Sequence, residues 1–286
     1  MKKVTALVLS VLMVGTLAGC GSANNASKSG SGASKENYNV AMVTDTGGVN
    51  DQSFNQSSWE GLQQLSKDVT DKNVKVSYLE SKQESDYATN LDKAADNGSK
   101  LIWGVGYAMA DALTNAAKKN SDVTYAIVDN SYGDKTPSNV AGVTFKAQES
   151  SFMVGYIAGK TTKTGKVGFV GGMKSAVIDQ FQYGFQAGVD YAGKELGKKF
   201  EVQVQYAQSY SDASKGKAIA NAMFSKDCDI VFHAAGGTGV GVIEAAKEAN
   251  KFAIGVDGDQ AYFAPKNVLT SALKNVNVAV EQLSKD

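Results

Sequence analysis

The chain has 286 residues, 43% of them hydrophobic, with only two prolines, and its 29 basic residues balance 29 acidic ones. That length and apolar content exclude a disordered polypeptide and allow two domains, and the even charge removes any global electrostatic reason to bind nucleic acid. All the basic residues are lysines; without arginine the planar two-pronged clamp for carboxylate or phosphate is missing, which disfavours a site built around an anion.

Lys2 and Lys3 precede an apolar run over residues 4–17, and Leu17-Ala-Gly-Cys20 follows. The run, about 14 residues long, is short for a bilayer span, and small residues sit directly before the cysteine. This arrangement resembles the lipobox of bacterial lipoproteins. It implies a signal peptide over residues 1–19, cleavage before Cys20, and a diacylglycerol thioether on the Cys20 sulfur. Two acyl chains on one residue suffice for stable anchoring where one does not. The lipid anchor makes the membrane a partner and places the mature protein on the extracytoplasmic face of the cell membrane. Residues 20–37 begin with the lipidated cysteine and continue as a tether rich in Ser, Gly, Asn and Ala, with a typical span of roughly 23 Å. With Cys20 taken by lipid, Cys228 has no partner. Beside Ile230-Val-Phe232 it reads as a buried, inert thiol, and no disulfide is expected.

The first folded stretch is an apolar run, residues 40–43, that ends in a polar, glycine-bearing loop. Asp45 falls where the strand meets solvent, Gly47 and Gly48 permit a sharp turn, and Ser53 is placed to cap a helix carrying Leu62, Leu65 and Val69 on one face. In open α/β sheets, ligands lie outside the carboxyl ends of the strands. Asp45, Asn50, Asp51, Ser53, Phe54 and Asn55 are therefore candidates to face a small molecule. Strands follow at 74–79, 101–106, 124–129 and 140–145, with helices at 87–96 and 108–119 between them. After a helix over 151–160 the alternation restarts. Strands at 166–172, 201–207, 230–237 and 253–257 are separated by helices near 178–196, 213–225 and 239–249. Short buried strands alternating with longer helices indicate parallel sheets, and the restart near residue 146 indicates two similar α/β lobes in tandem with a cleft between them.

Two glycine-rich spots fail as nucleotide motifs. Gly104-Val-Gly-Tyr-Ala-Met109 lacks the third glycine of the dinucleotide fingerprint, and Gly236-Gly-Thr-Gly-Val-Gly241 lacks both that spacing and a P-loop lysine. Backbone amides at Gly236 and Gly237, at a helix start, suit a neutral polar ligand instead. His233 is the only histidine, set among apolar neighbours, and reads as a satisfied core residue. There is no cysteine cluster and no Gly-x-Ser-x-Gly elbow, so neither a metal, a cofactor nor catalysis is expected.

The chain from Tyr38 onward resembles the basic membrane protein (BMP) group of substrate-binding lipoproteins, which includes purine nucleoside receptors of bacterial ABC transporters. The carriers are Val43-Thr-Asp-Thr-Gly-Gly-Val-Asn-Asp-Gln-Ser-Phe-Asn-Gln, Gly104-Val-Gly-Tyr, Ala126-Ile-Val-Asp, Phe145-Lys-Ala-Gln-Glu-Ser-Ser-Phe, Gly168-Phe-Val-Gly-Gly-Met, Phe232-His-Ala-Ala-Gly-Gly-Thr-Gly and Gly255-Val-Asp-Gly-Asp-Gln. The resemblance implies a type I periplasmic-binding-protein fold of two Rossmann-like lobes with a hinge, a purine nucleoside as ligand, an ABC permease as partner, and a monomer. It implies that Asp45 and Asn55 bond the purine edge, that Phe54 stacks on the base, and that Asp257 and Lys274 hold the ribose. Tyr210 stands where the family usually has a stacking phenylalanine, which keeps the π-face and adds a hydroxyl. Asp129, Gly236 and Gly237 complete the implied cleft.

The residues themselves also admit a receptor for another neutral polar solute, such as a sugar, and a nucleoside-processing enzyme. The first lobe is expected to span 38–145 plus 270–286 and the second 146–269, with hinges near Lys146 and between Pro265 and Ser271. The apolar stripe Val276, Val280, Leu283 marks a final helix with no stop signal, and the family normally continues further, so a truncated C-terminus is expected.

Overall fold

A computed structural model describes residues 36–286. The signal peptide, Cys20 and nearly all of the tether lie outside the described residues; the tether's last residue, Asn37, is already the first of β1. The first lobe runs β1 (Asn37–Val43), α1 (Phe54–Asp68), β2 (Asn73–Leu79), α2 (Asp86–Asp96), β3 (Leu101–Val105), α3 (Ala110–Lys119), β4 (Thr124–Val128) and β5 (Val140–Val143). The second runs α4 (Ala147–Thr161), β6 (Lys166–Gly171), α5 (Ala176–Leu196), β7 (Glu201–Tyr206), α6 (Ala213–Phe224), β8 (Ile230–Ala234), α7 (Thr238–Glu248), β9 (Phe252–Asp257) and β10 (Val268–Leu273), and α8 (Val276–Leu283) follows.

The sheets have orders β2-β1-β3-β4-β5 and β7-β6-β8-β9-β10, and every strand pairing is parallel. Each sheet is covered on both faces, which is why the central strands read as unbroken apolar runs. In the first lobe Met42, Leu62, Trp103 and Val276 pack on one face and Leu91, Ile102, Leu113 and Tyr125 on the other. In the second, Phe169, Phe181, Phe185 and Phe232 form an aromatic cluster, with Phe185 and Phe232 centroids 5.2 Å apart. Cys228 is buried on the opposite face of that sheet, beside Met223 and Val231, and burial pushes its thiol up to about 11.

The boundary expected at residues 269/270 is misplaced. Residues 270–273 belong to β10, which pairs with β9 as the edge of the second sheet, so the chain returns to the first lobe only after Leu273. The error has a physical origin: an edge strand with few fully buried positions carries little of the apolar signal that marks central strands, and Pro265 suggested an earlier break. The return is made by Lys274 and by Asn275 at φ 55, after which α8 lies against α1. Gly61 makes that approach close, since a Cβ there would come within 2.4 Å of the Asn277 carbonyl. The Trp103 indole then donates to Ser284 Oγ at 2.9 Å. α4 begins four residues before its expected start because Ala147 is buried and joins the helix.

Candidate functional site

Strand carboxyl ends from both sheets meet at a cavity of about 310 Å³. From the first lobe it is lined by Asp45, Phe54, Tyr107 and Asp129, and from the second by Met173, Phe181, Tyr210, Gly236 and Asp257, with Lys274 from the return crossing. An adjoining, more open depression shares Tyr107, Asp129 and Val177 and is otherwise bounded by uncharged residues such as Asn130, Thr144 and Gln180.

The loop after β1 is organised by carboxylates. Asp51 Oδ1 accepts from the amides of Ser53 (2.9 Å) and Gln56 (3.0 Å), and Oδ2 accepts from the Asn55 amide (2.9 Å). Asp51 is therefore the residue whose side chain caps α1. Ser53 occupies the cap position but makes no capping bond, because its hydroxyl donates instead to Asp257 of the opposite lobe. Asn55 is buried and fixes Asp45: its Nδ2 donates to Asp45 Oδ1 at 2.7 Å, and its Oδ1 accepts from the Asp45 amide at 3.1 Å. Gly47 also donates to Asp45 Oδ1, at 2.8 Å. Both donors meet the same carboxylate oxygen, and Oδ2 is turned toward Gly106. Burial pushes the Asp45 carboxyl up to about 7 against the charge-favouring bond from Asn55, and the nearby Asp51 charge adds to the rise. Burial also raises Asp51, opposed by the amides it caps.

Asp129 directly follows β4 and Asp257 is the last residue of β9, equivalent strands of the two sheets, with φ of 67° and 66°. Aspartate is among the few residues that enter this left-handed region readily. Lys274 Nζ pairs with Asp129 Oδ2 at 2.6 Å, the two side chains being 4% and 8% exposed. It was expected to act with Asp257; its direct partner is Asp129, because β10 delivers it to the first lobe's strand end. The ammonium also lies 4.6 Å from the Phe54 ring centre and 5.0 Å from that of Phe145, a cation–π setting. Burial pushes Asp257 up to about 6, with the Lys274 charge and the Ser53 hydroxyl opposing.

The Tyr210 ring packs against Gly172, where a Cβ would come within 2.2 Å of it. Its hydroxyl is 3.3 Å from that of Tyr107 across the cleft, and burial holds it neutral by raising its pKa far above the ordinary phenol. Gly236, at φ 52, reaches the cavity, whereas Gly237 packs against the Tyr210 carbonyl and Asp51 and does not line it. Asn50 is exposed at the loop tip and also lies outside the lining; the Gly48 turn carries it into solvent. Ser53 and Asn55 stand behind the lining, bonded to Asp257 and Asp45.

Sequence reasoning missed Tyr107, Met173 and Phe181. The first two follow the ends of β3 and β6, so the strand-end rule that picked Asp45 and Asp257 would have found them. Phe181 lies inside amphipathic α5, where an apolar residue reads as core. His233 is only half satisfied: Nε2 meets Gln260 Oε1 at 3.0 Å, and Nδ1 has no partner because Gly239 packs against it. Among the described residues no group of three His, Cys, Asp or Glu side chains is placed to hold a metal ion, and no helix is long and apolar enough to cross a membrane.

The family described as ABC transporter substrate-binding protein PnrA-like matches residues 38–286. A CD4+ T-cell-stimulating antigen of Listeria innocua is 44% identical, with 99% of this chain and 83% of that protein covered. An ABC transporter nucleoside-binding protein of Lactococcus lactis is 41% identical over 99% of this chain and 84% of its own length. Among solved structures, an ABC transporter solute-binding protein from Aeropyrum pernix superimposes with a TM-score of 0.81 at 30% identity, covering 87% of this chain and 70% of that one.

Proposed function

Because the chain belongs to the PnrA-like family of ABC transporter substrate-binding proteins, a family of receptors and not of enzymes, we propose that its own ligand is a purine nucleoside, captured between the lobes for import. The observation that carries this reading is the set of groups that line the cavity together. Asp45, held by Asn55, offers a hydrogen-bonding edge, and Asp257, Asp129 and Lys274 offer charge-assisted bonds to adjacent hydroxyls. Phe54 and Tyr210 line the same cavity from opposite lobes and offer a flat base two π-faces. Asp45 would bond the base edge, and Asp257 with Lys274 the ribose. Ser53 and Asn55 support these roles from behind, Gly236 lets the second-lobe backbone come close, and Gly237 and the exposed Asn50 are left outside the site. The name of the Lactococcus relative supports the same ligand class.

The same reading has the protein bind without turnover, as a monomer lipidated on Cys20 that docks on an ABC permease at the extracytoplasmic face of the cell membrane. Calorimetric titration of the chain with purine and pyrimidine nucleosides, free bases and ribose tests the ligand assignment. Purine nucleosides are expected to bind tightest. Ribose or another sugar binding as tightly as any nucleoside would overturn it, and release of free base during the titration would overturn binding without turnover.

A further inference from the structure

Three features lie outside the proposed ligand contacts: His233, Gln260, which is 1% exposed, and Gln52, a non-glycine residue held at φ 57. They form one connected line through the protein. In the second lobe, Gln260 Oε1 accepts from the Val256 amide (3.0 Å) and pairs with His233 Nε2 (3.0 Å), and the Gln260 backbone N–H donates to Ser271 Oγ (3.1 Å). The imidazole is fixed in turn by Gly239, where a Cβ would come within 1.9 Å of Nδ1. Gln260 is thus pinned from three sides, and its remaining group, Nε2, crosses to the first lobe and donates to the Gln52 carbonyl at 3.0 Å. Tyr262 adds a bond from its hydroxyl to Gln52 Oε1, at 2.9 Å.

Gln52 sits between Asp51, which caps α1, and Ser53, which donates to Asp257. A left-handed backbone at a non-glycine residue carries a steric cost and persists only where its surroundings hold it. The bond from Gln260 is a directional contact from the other lobe onto that very peptide. We propose that Gln260, oriented by His233, is a positioning residue that holds the Gln52 peptide in its left-handed form and thereby aligns Ser53 with Asp257 when the lobes meet. The inference depends on the nucleoside reading only for the choice of titrant.

The test compares Gln260→Met with the double variant Gln52→Gly/Gln260→Met. Removing the side-chain amide should raise the Kd for adenosine about tenfold through faster dissociation, since the part-buried Gln52 carbonyl loses its donor from the opposite lobe. Glycine adopts the left-handed form freely, so the double variant should recover about threefold. A packing role for Gln260 alone would not be rescued from the opposite lobe. A Kd within twofold of wild type for Gln260→Met, or a double variant no better than the single one, would overturn the proposal. If wild type binds no nucleoside, it is the ligand reading that fails, and ligand-free small-angle scattering decides the positioning role. Gln260→Met should then be more extended than wild type, and equal radii of gyration overturn it. Should that variant not fold, Gln260→Asn, which draws the amide back by one methylene, is read the same way.

Discussion

The loops that follow β1 and β6 occupy equivalent places in the two sheets, yet they contribute opposite chemistry to the cleft. The first is a lattice of carboxylates and amides in which Asp51 builds the turn, Asn55 orients Asp45, and Ser53 reaches across to Asp257. The second, Gly172-Met173-Lys174-Ser175, carries no carboxylate, and leads into a helix that offers Ile178 and Phe181. Of these two loops, only the first sets carboxylates at the cavity. Asp129 and Asp257 sharpen the contrast, because the same strand end with the same left-handed backbone holds a carboxylate paired within a buried ion pair in one lobe and a carboxylate bonded to a hydroxyl in the other.

The largest expected effect breaks the first of those pairs. Lys274→Met leaves Asp129 buried without its counter-charge, and removing one partner of such a pair costs about 3–5 kcal/mol. Urea unfolding should show a loss of that order, partly restored in Lys274→Met/Asp129→Asn. A loss no larger than that of an exposed pair such as Lys119–Asp92, at most about 1 kcal/mol, would show that Asp129 does not depend on Lys274.

The equivalent change in the second lobe should separate binding from stability. Asp257→Ala is expected to weaken ribonucleoside binding by at least about tenfold, roughly 1.4 kcal/mol, with little change in the ligand-free melting temperature. A free purine base, which has no hydroxyls to lose, should be affected much less. Equal losses for nucleoside and base would remove Asp257 from the sugar end.

Titration distinguishes the two loops as well, since only the first carries a carboxyl. Burial raises Asp45 to about 7 and Asp257 to about 6, both above an ordinary carboxylate near 3.9. The folded chain therefore holds more protons than the unfolded one between about pH 4 and 7. This contribution to stability is fully present below the unfolded value and is lost as pH rises through 6 and 7. The ligand-free melting temperature should accordingly be higher near about pH 5 than near about pH 8, and Asp45→Asn should flatten the profile at its upper end. A profile unchanged by that substitution would place the titration elsewhere.

The smallest effect belongs to the hydroxyl that Tyr210 adds to its aromatic face. Tyr210→Phe keeps the ring but loses the contact with Tyr107 at 3.3 Å, and a single neutral hydrogen bond is worth about 1 kcal/mol, or roughly fivefold in affinity. Tyr210→Ala, which also removes the ring, should lose clearly more. If the two variants bind equally, Tyr210 does not stack on the ligand.

Much of this architecture is legible in the sequence because it is local. Residues 40–43, 101–105 and 230–234 are apolar runs buried on both sides, and the polar or glycine residues that end them mark where a cleft can form. Asp45, Phe54, Asp129, Tyr210 and Asp257 could be picked out on those grounds and on resemblance, and each lines the cavity. Partners could not be read the same way. Ser53 is an N-cap residue by every local criterion, and only the meeting of the lobes turns its hydroxyl to Asp257, 204 residues away. Lys274 follows a strand of the second sheet but pairs with Asp129 of the first, because a parallel edge strand delivers its end to the opposite strand ends. A sequence determines the periodicity and turns of its own segments, since these depend on neighbours a few residues apart. Which carboxylate each hydroxyl or ammonium meets was decided only by the tertiary structure, since that pairing is a property of two sheets facing one another.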